Sequence, residues 1–345
     1  MSRGFERSPV SSTLPLVTVV IPARNEERHI EACVGRIAAQ DYPLGRIEVL
    51  LIDGASTDRT VELAVRALEG VDFARAAVIP NQVGTTPSNL NRGLAEASGQ
   101  YLCRVDARSF IPPHYVRTCV LLLQSRPEFA VVGGAQVAES SPGAGVVGRG
   151  IARALSSPHA TGLARYRRRR TAGPGDTVYL GVFRTADVRD EGGWDERFLT
   201  NQDYELNRRM AKRGLVWFEA GVEVGYRPRE TLGALLAQYR RFGRWKAAAW
   251  LETPMRPAGR QIILLSFPIL GPVIAAQLLR RWGWRVPVAG ASAALLAGGV
   301  VPGRSDLRER LVGLCAAVLV PVAWLTGILE QTMRWSAGER LLRRR

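Results

Sequence analysis

The chain has 345 residues, 46% of them hydrophobic, enough for a catalytic domain of ordinary size with something smaller attached. A formal net charge of +16 points to a polyanionic partner such as nucleic acid, anionic lipid or a phosphorylated substrate, without choosing among them. Cys33, Cys103, Cys119 and Cys315 are scattered with no CxxC pair, which argues against a disulfide framework or a zinc site and suits a reducing cytosol.

The start, "MSRGFERSPVSSTLPLV", lacks an unbroken apolar region and a small-residue cleavage site, so no signal peptide is expected. From Val17 to about Gly134, the runs "VTVVI", "VLLID", "AAVIP", "YLCRV" and "AVVGG" read as strands alternating with helices, the rhythm of a mostly parallel α/β sheet. Between the first two strands, Ile30, Cys33, Val34 and Ile37 recur at helical spacing, with Asn25 as the expected N-cap ahead of Glu26 and Glu27. The next connection predicts a helix with Val61, Ala64, Val65 and Leu68 as its apolar stripe, closed by Gly70.

After Gly134 the pattern weakens into Gly, Ser, Pro and Arg. "SSPGAGVVGRG" and "RYRRRRTAGPGD" read as a mobile, basic loop region. Order resumes with a strand in "TVYLGVFRT", a helix in "DYELNRRMAKRG" carrying Leu206 and Met210 one turn apart, and a strand in "LVWFEAGVEVGY".

The last third changes character. "TLGALLAQYRRFGRWKAAAW" gathers Leu232, Leu235, Leu236, Tyr239 and Phe242 on one helical face with arginines largely elsewhere, a pattern suited to a membrane surface. Apolar segments follow at Gln261 to Leu279, Val286 to Val301 and Leu311 to Leu329. The first and third approach the roughly 20 residues of a spanning helix. At least two crossings are expected, the short middle segment spanning or re-entrant. Arginine-rich connectors on every side prevent the positive-inside rule from fixing topology.

Chemistry is expected outside the carboxyl ends of the strands. The first turn, "IPARNEE", contains neither GxGxxG nor GxxxxGK[ST]. Pro22, Arg24, Asn25 and Glu26 offer side-chain contacts there, or simply a turn and a helix cap. Asp53 closes the second strand, where a carboxylate accepts hydrogen bonds from a ribose or base edge, or makes an Asx-turn before Gly54. Asp106 ends "YLCRV", where it suits a hard divalent cation against a diphosphate, or a turn ion pair with Arg104 or Arg108. Asp203 precedes a helix, as an N-cap or as a general base that takes a proton from an acceptor hydroxyl. Gln238, Arg241 and Trp245 lie in "QYRRFGRW" and either clamp phosphate and acceptor or form the polar face of the amphipathic helix.

In order, "VVIPARNEE", "LLIDGASTD", "RVDAR", "NQDYEL" and "QYRRFGRW" resemble the motifs of family 2 inverting glycosyltransferases of GT-A fold, in particular membrane-bound bacterial exopolysaccharide glucosyltransferases. The resemblance runs from Val17 to about Trp250. It implies a tail over 1–15, a GT-A (Rossmann-like) α/β domain over 16–228, amphipathic interface helices over 229–260, transmembrane segments over 261–332 and a basic tail over 333–345. It implies a multi-pass protein of the bacterial inner membrane with its catalytic domain facing the cytoplasm. By the same likeness Pro22, Arg24, Glu26 and Asp53 contact the nucleotide-sugar donor, Asp106 holds Mg2+ or Mn2+ and the diphosphate, and Asp203 is the base. Gln238, Arg241 and Trp245 match a QxxRW element that closes over diphosphate and acceptor.

The chain departs from that pattern in three places. Asp106-Ala107-Arg108 stands where many relatives have Asp-x-Asp, so Arg108 either neutralises phosphate or turns to a neighbouring carboxylate. Gln202-Asp203 stands where Glu-Asp is common, and the Arg-Trp pair of the third element is displaced to Arg244 and Trp245.

The implied reaction moves a sugar from a nucleotide-diphosphate sugar, such as a UDP-hexose, to a hydroxyl of a lipid-linked saccharide in cell-surface polysaccharide synthesis. Transfer to polyprenyl phosphate, processive synthesis and a catalytically silent membrane protein are the alternatives. Nucleic-acid binding is disfavoured, because "RYRRRRTAGPGD" interleaves only Tyr166 among its cations and sits beside an apolar tail that needs lipid.

Overall fold

The computed structural model describes residues 14–156, 171–259, 261–266, 276–277, 280–281, 283 and 306–342. Strands β1 (Val17–Ala23), β2 (Ile47–Asp53), β3 (Arg75–Pro80) and β4 (Tyr101–Arg104) form a parallel block in the order β3-β2-β1-β4. The sheet continues through β8 (Tyr179–Arg184), β6 (Phe129–Ala138) and β9 (Leu215–Tyr226). β5 (Ser109–Phe110) and β7 (Gly173–Pro174) both pair with β9. β8 is antiparallel to both β4 and β6, so β4, β6 and β9 point the same way.

Alternation along the strands divides the core. Val17, Val19 and Ile21 of β1 face α1 (Ile30–Ala38), α2 (Thr60–Leu68) and α4 (Tyr115–Ser125). Val20 with Leu50, Ile52 and Leu102 faces α3 (Thr86–Glu96), and the same side receives Val188 of α6 (Thr185–Asp190) and Leu206 and Met210 of α7 (Gln202–Met210). The strand order turns back between β1 and β4, and at such a reversal the loops part and leave a crevice at the carboxyl ends.

The structure corrects three local expectations. Asn25 is not the cap of α1: it takes the left-handed conformation (φ 55°) and its Oδ1 accepts from the Thr57 amide, tying the first turn to the second. The stripe of α2 is rotated, burying Thr60, Leu63, Ala64 and Leu68 while Val61 and Val65 are about 40% exposed. The Gly-rich stretch after β6 contains a helix, α5 (Val146–Ser156), whereas residues 157–170 with their arginine run lie outside the described residues.

β9 leads into α8 (Leu232–Glu252), capped by the Thr231 hydroxyl, which accepts from the Ala234 amide. α8 lies beside α9 (Leu307–Ser336) and runs in the same direction: Leu235 packs with Ala316 and Val320, Gly243 lies against the Trp324 carbonyl, and Glu252 accepts from the Leu341 and Leu342 amides. A Cβ on Gly243 or Gly327 would collide with the facing helix's backbone, so these glycines set the close approach. α9 is long and apolar enough to cross a membrane, its most apolar 18 residues having a mean hydropathy of 2.2. Of the other apolar segments, 286–301 and most of 261–279 lie outside the described residues.

Candidate active site

Parallel pairing brings the ends of four strands to one edge, with Ala23 opposite Asp53 and Asp53 opposite Pro80. Pro22 is half-buried beside Ile52 in the same ladder, and Arg24 projects from the turn, its Nη1 3.5 Å from the Gly84 carbonyl. Asp53 is buried and both its oxygens accept from the Ser56 amide, at 3.3 and 3.2 Å, one residue further on than an Asx-turn reaches. Behind it the buried Asn89 amide reaches the carbonyls of Ala23 and Ile52, joining the ends of β1 and β2. Gly84 (φ +67°) passes so close to the Gly54 carbonyl that a side chain has no room.

Asp106, just past β4, is gripped by its neighbour two residues back, on the same side of the strand. Arg104 donates from Nε to Asp106 Oδ1 at 2.8 Å and from Nη2 to Oδ2 at 3.2 Å. The Arg104 side chain is only 6% exposed, and its Nη1 contacts Asp203 Oδ1. One buried guanidinium thus joins the two carboxylates that carry the expected donor and base roles. The ion pair of Asp106 with Arg104 is one of the alternatives read from the sequence, whereas the reach of the same guanidinium to Asp203, 99 residues away, had no signal there.

Asp203 is the second residue of α7 and not its cap, which is Asn201, in left-handed conformation (φ 64°). Asp203's carboxylate is held through Oδ1 and is 44% exposed, leaving it open to an incoming group. The start of α7 rests on α8. Phe198 packs with Trp245, the Lys246 ammonium lies 3.3 Å from the Tyr204 ring centroid, and the Asn201 amide is 3.5 Å from the Phe242 carbonyl. Trp245 is therefore buried under the loop that carries Asp203, while Gln238 is half-buried and Arg241 exposed on the same helix.

Arg108 turns to a carboxylate: its Nε lies 2.9 Å from both oxygens of Glu26. Burial pushes the Glu26 carboxyl up from its ordinary range and the Asp106 charge adds to this, while Arg108 opposes it. Arg229 is held below the usual guanidinium value by burial first and then by the like charges of Arg108 and Arg241. His29 is lowered by burial and by Arg108, Arg227 and Arg28. Arg108 and Arg241 thus stand near enough to Arg229 to act on it as like charges. Arg229 falls in "RPRETL", between a strand and a helix, and no spacing rule singled it out.

For Mg2+ or Mn2+, Asp106 is a single carboxylate already engaged at both oxygens by Arg104, and Arg108 replaces a second one. Among the described residues no three His, Cys, Asp or Glu side chains converge as a metal cage. An ion held by one carboxylate together with the diphosphate oxygens of a bound donor would fall to Asp106, and the chemistry below is derived from the arginines and aspartates alone.

The parallel block, its strand order reversing between β1 and β4, and its antiparallel continuation through β8 are those of a GT-A type α/β domain. The sequence model named Glycosyl transferase family 2 matches residues 18–213, and the chain belongs to that family. It is 30% identical over 325 residues to the succinoglycan biosynthesis protein ExoA of Rhizobium meliloti, covering 91% of this chain and 94% of that protein. It is 24% identical over 280 residues to the dolichyl N-acetyl-alpha-D-glucosaminyl phosphate 3-beta-D-2,3-diacetamido-2,3-dideoxy-beta-D-glucuronosyltransferase of Methanococcus voltae, covering 76% and 84%. Among solved structures, the mannosyltransferase PcManGT of Pyrobaculum calidifontis, in complex with GDP-Man and Mn2+, superposes with a TM-score of 0.53 at 18% identity, over 96% of this chain and 90% of that one. This likeness extends the GT-A fold to the whole described sheet.

Proposed function

We propose that this glycosyltransferase moves a hexose from a nucleotide-diphosphate sugar, in the first instance a UDP-hexose such as UDP-glucose, to a hydroxyl of a lipid-linked saccharide, with inversion. The observation that carries the reading is the bridge through Arg104, which sets Asp203 at a fixed distance from Asp106. Asp203 accepts the proton of the attacking hydroxyl. Arg108, Arg229 and Arg241 receive the negative charge that grows on the departing diphosphate. Displacement in one step inverts the anomeric centre through a transition state of oxocarbenium character.

Pro22, Arg24, Glu26 and Asp53 line the nucleotide side of this site, and Gln238 and Arg241 the acceptor side, with Trp245 supporting the Asp203 loop from behind. The lipid-linked acceptor and the role in cell-surface polysaccharide synthesis are supported by the names of the succinoglycan and dolichyl-phosphate relatives and by the apolar α9. The domain then faces the cytoplasm, where nucleotide sugars are made.

The test is release of nucleoside diphosphate by the full chain in membranes, from a panel of UDP- and GDP-sugars with a lipid-linked acceptor extract, for wild type and Asp203→Asn. Acceptor-dependent release that the variant loses supports the reading and names the donor. No release from any donor by a folded protein rejects it in favour of a silent relative.

A further inference from the structure

α9 passes every length and composition criterion for a spanning helix, yet its neighbours are those of a helix lying on a globular protein. Its thirty residues rise about 45 Å, and it is anchored at three levels. Near its start Glu309 accepts from Arg149 Nε of α5 at 2.5 Å, and Val312 fills the space above Gly150, where a Cβ would stand 2.7 Å away. At its middle Ala316 and Val320 are buried with Ile151 and Leu155 of α5, Leu235 of α8, Ala138 at the end of β6 and Tyr226 at the end of β9. Near its end Glu330 accepts from Arg240 Nε of α8 at 2.8 Å, and Gly327 closes on the Arg240 carbonyl.

Glu309 and Glu330 are separated by about 31 Å of helix, close to the hydrocarbon thickness of a bilayer. A crossing would therefore send Arg149 and Arg240 to opposite membrane faces, although α5 and α8 meet in one apolar cluster with the ends of β6 and β9. It would also carry the ends of β6 and β9 to the bilayer centre, where unsatisfied strand ends are not tolerated. The opposite side of α9 is a continuous apolar stripe: Leu307, Leu311, Val318, Val322, Leu329 and Met333, each half exposed or more, with the exposed Cys315 among them. Arg308, exposed, flanks it at its start, while Arg334 near its end pairs with Glu330 and Glu339.

We infer that α9 is an in-plane membrane anchor, lying lengthwise in the headgroup boundary with one side on the catalytic domain and the other in lipid. Arg308 at its start meets anionic headgroups, which suits a chain of net charge +16. The active site is then held at a fixed height over the bilayer, and the chain after α9 returns to the same side as the catalytic domain. The inference does not depend on the transfer reaction.

Cys315 makes the test direct, because Cys33, Cys103 and Cys119 are buried and a thiol-reactive fluorophore will select it in the unaltered full chain. The labelled protein is placed in vesicles containing phosphatidylglycerol, with nitroxide quenchers fixed shallow or deep on the lipids. The same label is then moved to Leu311, Val322 and Leu329 in a Cys315→Ser background. The expected result is stronger quenching from the shallow quencher at all four positions. Deep quenching that peaks near Val322 and falls away on both sides would mean that the helix crosses, and would overturn the inference. Absence of quenching at every position, with Cys315 cross-linking to a second copy, would put protein on the stripe and overturn it equally.

Discussion

Arg104 and Asp203 meet across the gap between the end of β4 and the start of α7, and the same guanidinium holds Asp106. The proposed base and the proposed donor-side carboxylate are thus positioned by a group that needs to touch no substrate. Arg104→Met leaves two neighbouring carboxylates unpaired. The expected loss of stability is about 2 kcal/mol, less than the usual 3–5 for breaking a fully buried pair because water reaches both aspartates. Arg104→Lys keeps the charge but cannot donate to both at once, so turnover should fall about tenfold or more while folding is retained. Urea denaturation and steady-state kinetics on the two variants separate the effects.

Asp203→Asn should lower kcat by about a hundredfold or more and leave the donor KM within about threefold. The substituted side chain keeps the shape that contacts Arg104 but cannot take a proton. A donor KM that rises in step with the loss of kcat would move Asp203 from the proton to donor binding.

The parallel block was legible because β1, β2 and β4 are buried on both faces and read as largely apolar runs; β1 opens with Val-Thr-Val-Val-Ile in sequence and in the sheet. The order of the motif aspartates was also legible, since each stands at the carboxyl end of a strand or at the start of a helix. α5 was not. Its glycines at 148 and 150 weaken the helical pattern, and Gly150 is explained by Val312, more than 160 residues away, which needs the space above it. The rotation of α2 likewise depends on Thr60, whose hydroxyl donates to Asp58 and accepts from the Glu26 amide, turning the helix by polar contacts that an apolar count misses. Trp245 looked like a ligand-facing aromatic, but the direction of its ring is fixed by Phe198 and Leu342, both distant in sequence.

Arg108 sets the protonation of Glu26. Burial already raises that carboxyl, and Arg108 restrains the rise. A carboxyl raised on folding favours the folded state when protonated, and this contribution is lost as pH climbs from the ordinary carboxylate range through the raised folded value. Arg108→Met removes the restraint, so the window of falling stability should extend to higher pH than in wild type. Denaturation midpoints measured across that range, with Glu26→Gln as the control that abolishes the difference, check the assignment.

The same position governs the response to metal. With Asp106 on Arg104 and Arg108 on Glu26, donor turnover is expected to change less than about tenfold between excess chelator and added Mn2+. Arg108→Asp recreates a carboxylate pair and should make turnover clearly Mn2+-dependent. Activity abolished by chelator in wild type would show that Asp106 leaves Arg104 to take up an ion when the donor binds.

Away from the site, Glu48 is the deepest carboxylate in the parallel block, fully buried in β2. Burial pushes its pKa up, but bonds from the Ser98 amide, the Thr18 hydroxyl and Arg75 outweigh this and hold it below its ordinary value. The Ser98 amide lies 2.8 Å and Arg75 Nη1 2.9 Å from its oxygens. A carboxyl lowered on folding stabilises the protein above its unfolded pKa, and that stability is lost as pH falls through the folded value. Glu48→Gln keeps the shape but forfeits the charge-assisted bonds and faces Arg75 with a neutral amide. The variant should be less stable by about 2 kcal/mol at neutral pH. The difference should shrink on acidification as wild-type Glu48 protonates; a difference that stays constant to low pH would show that the loss is one of packing, not of charge.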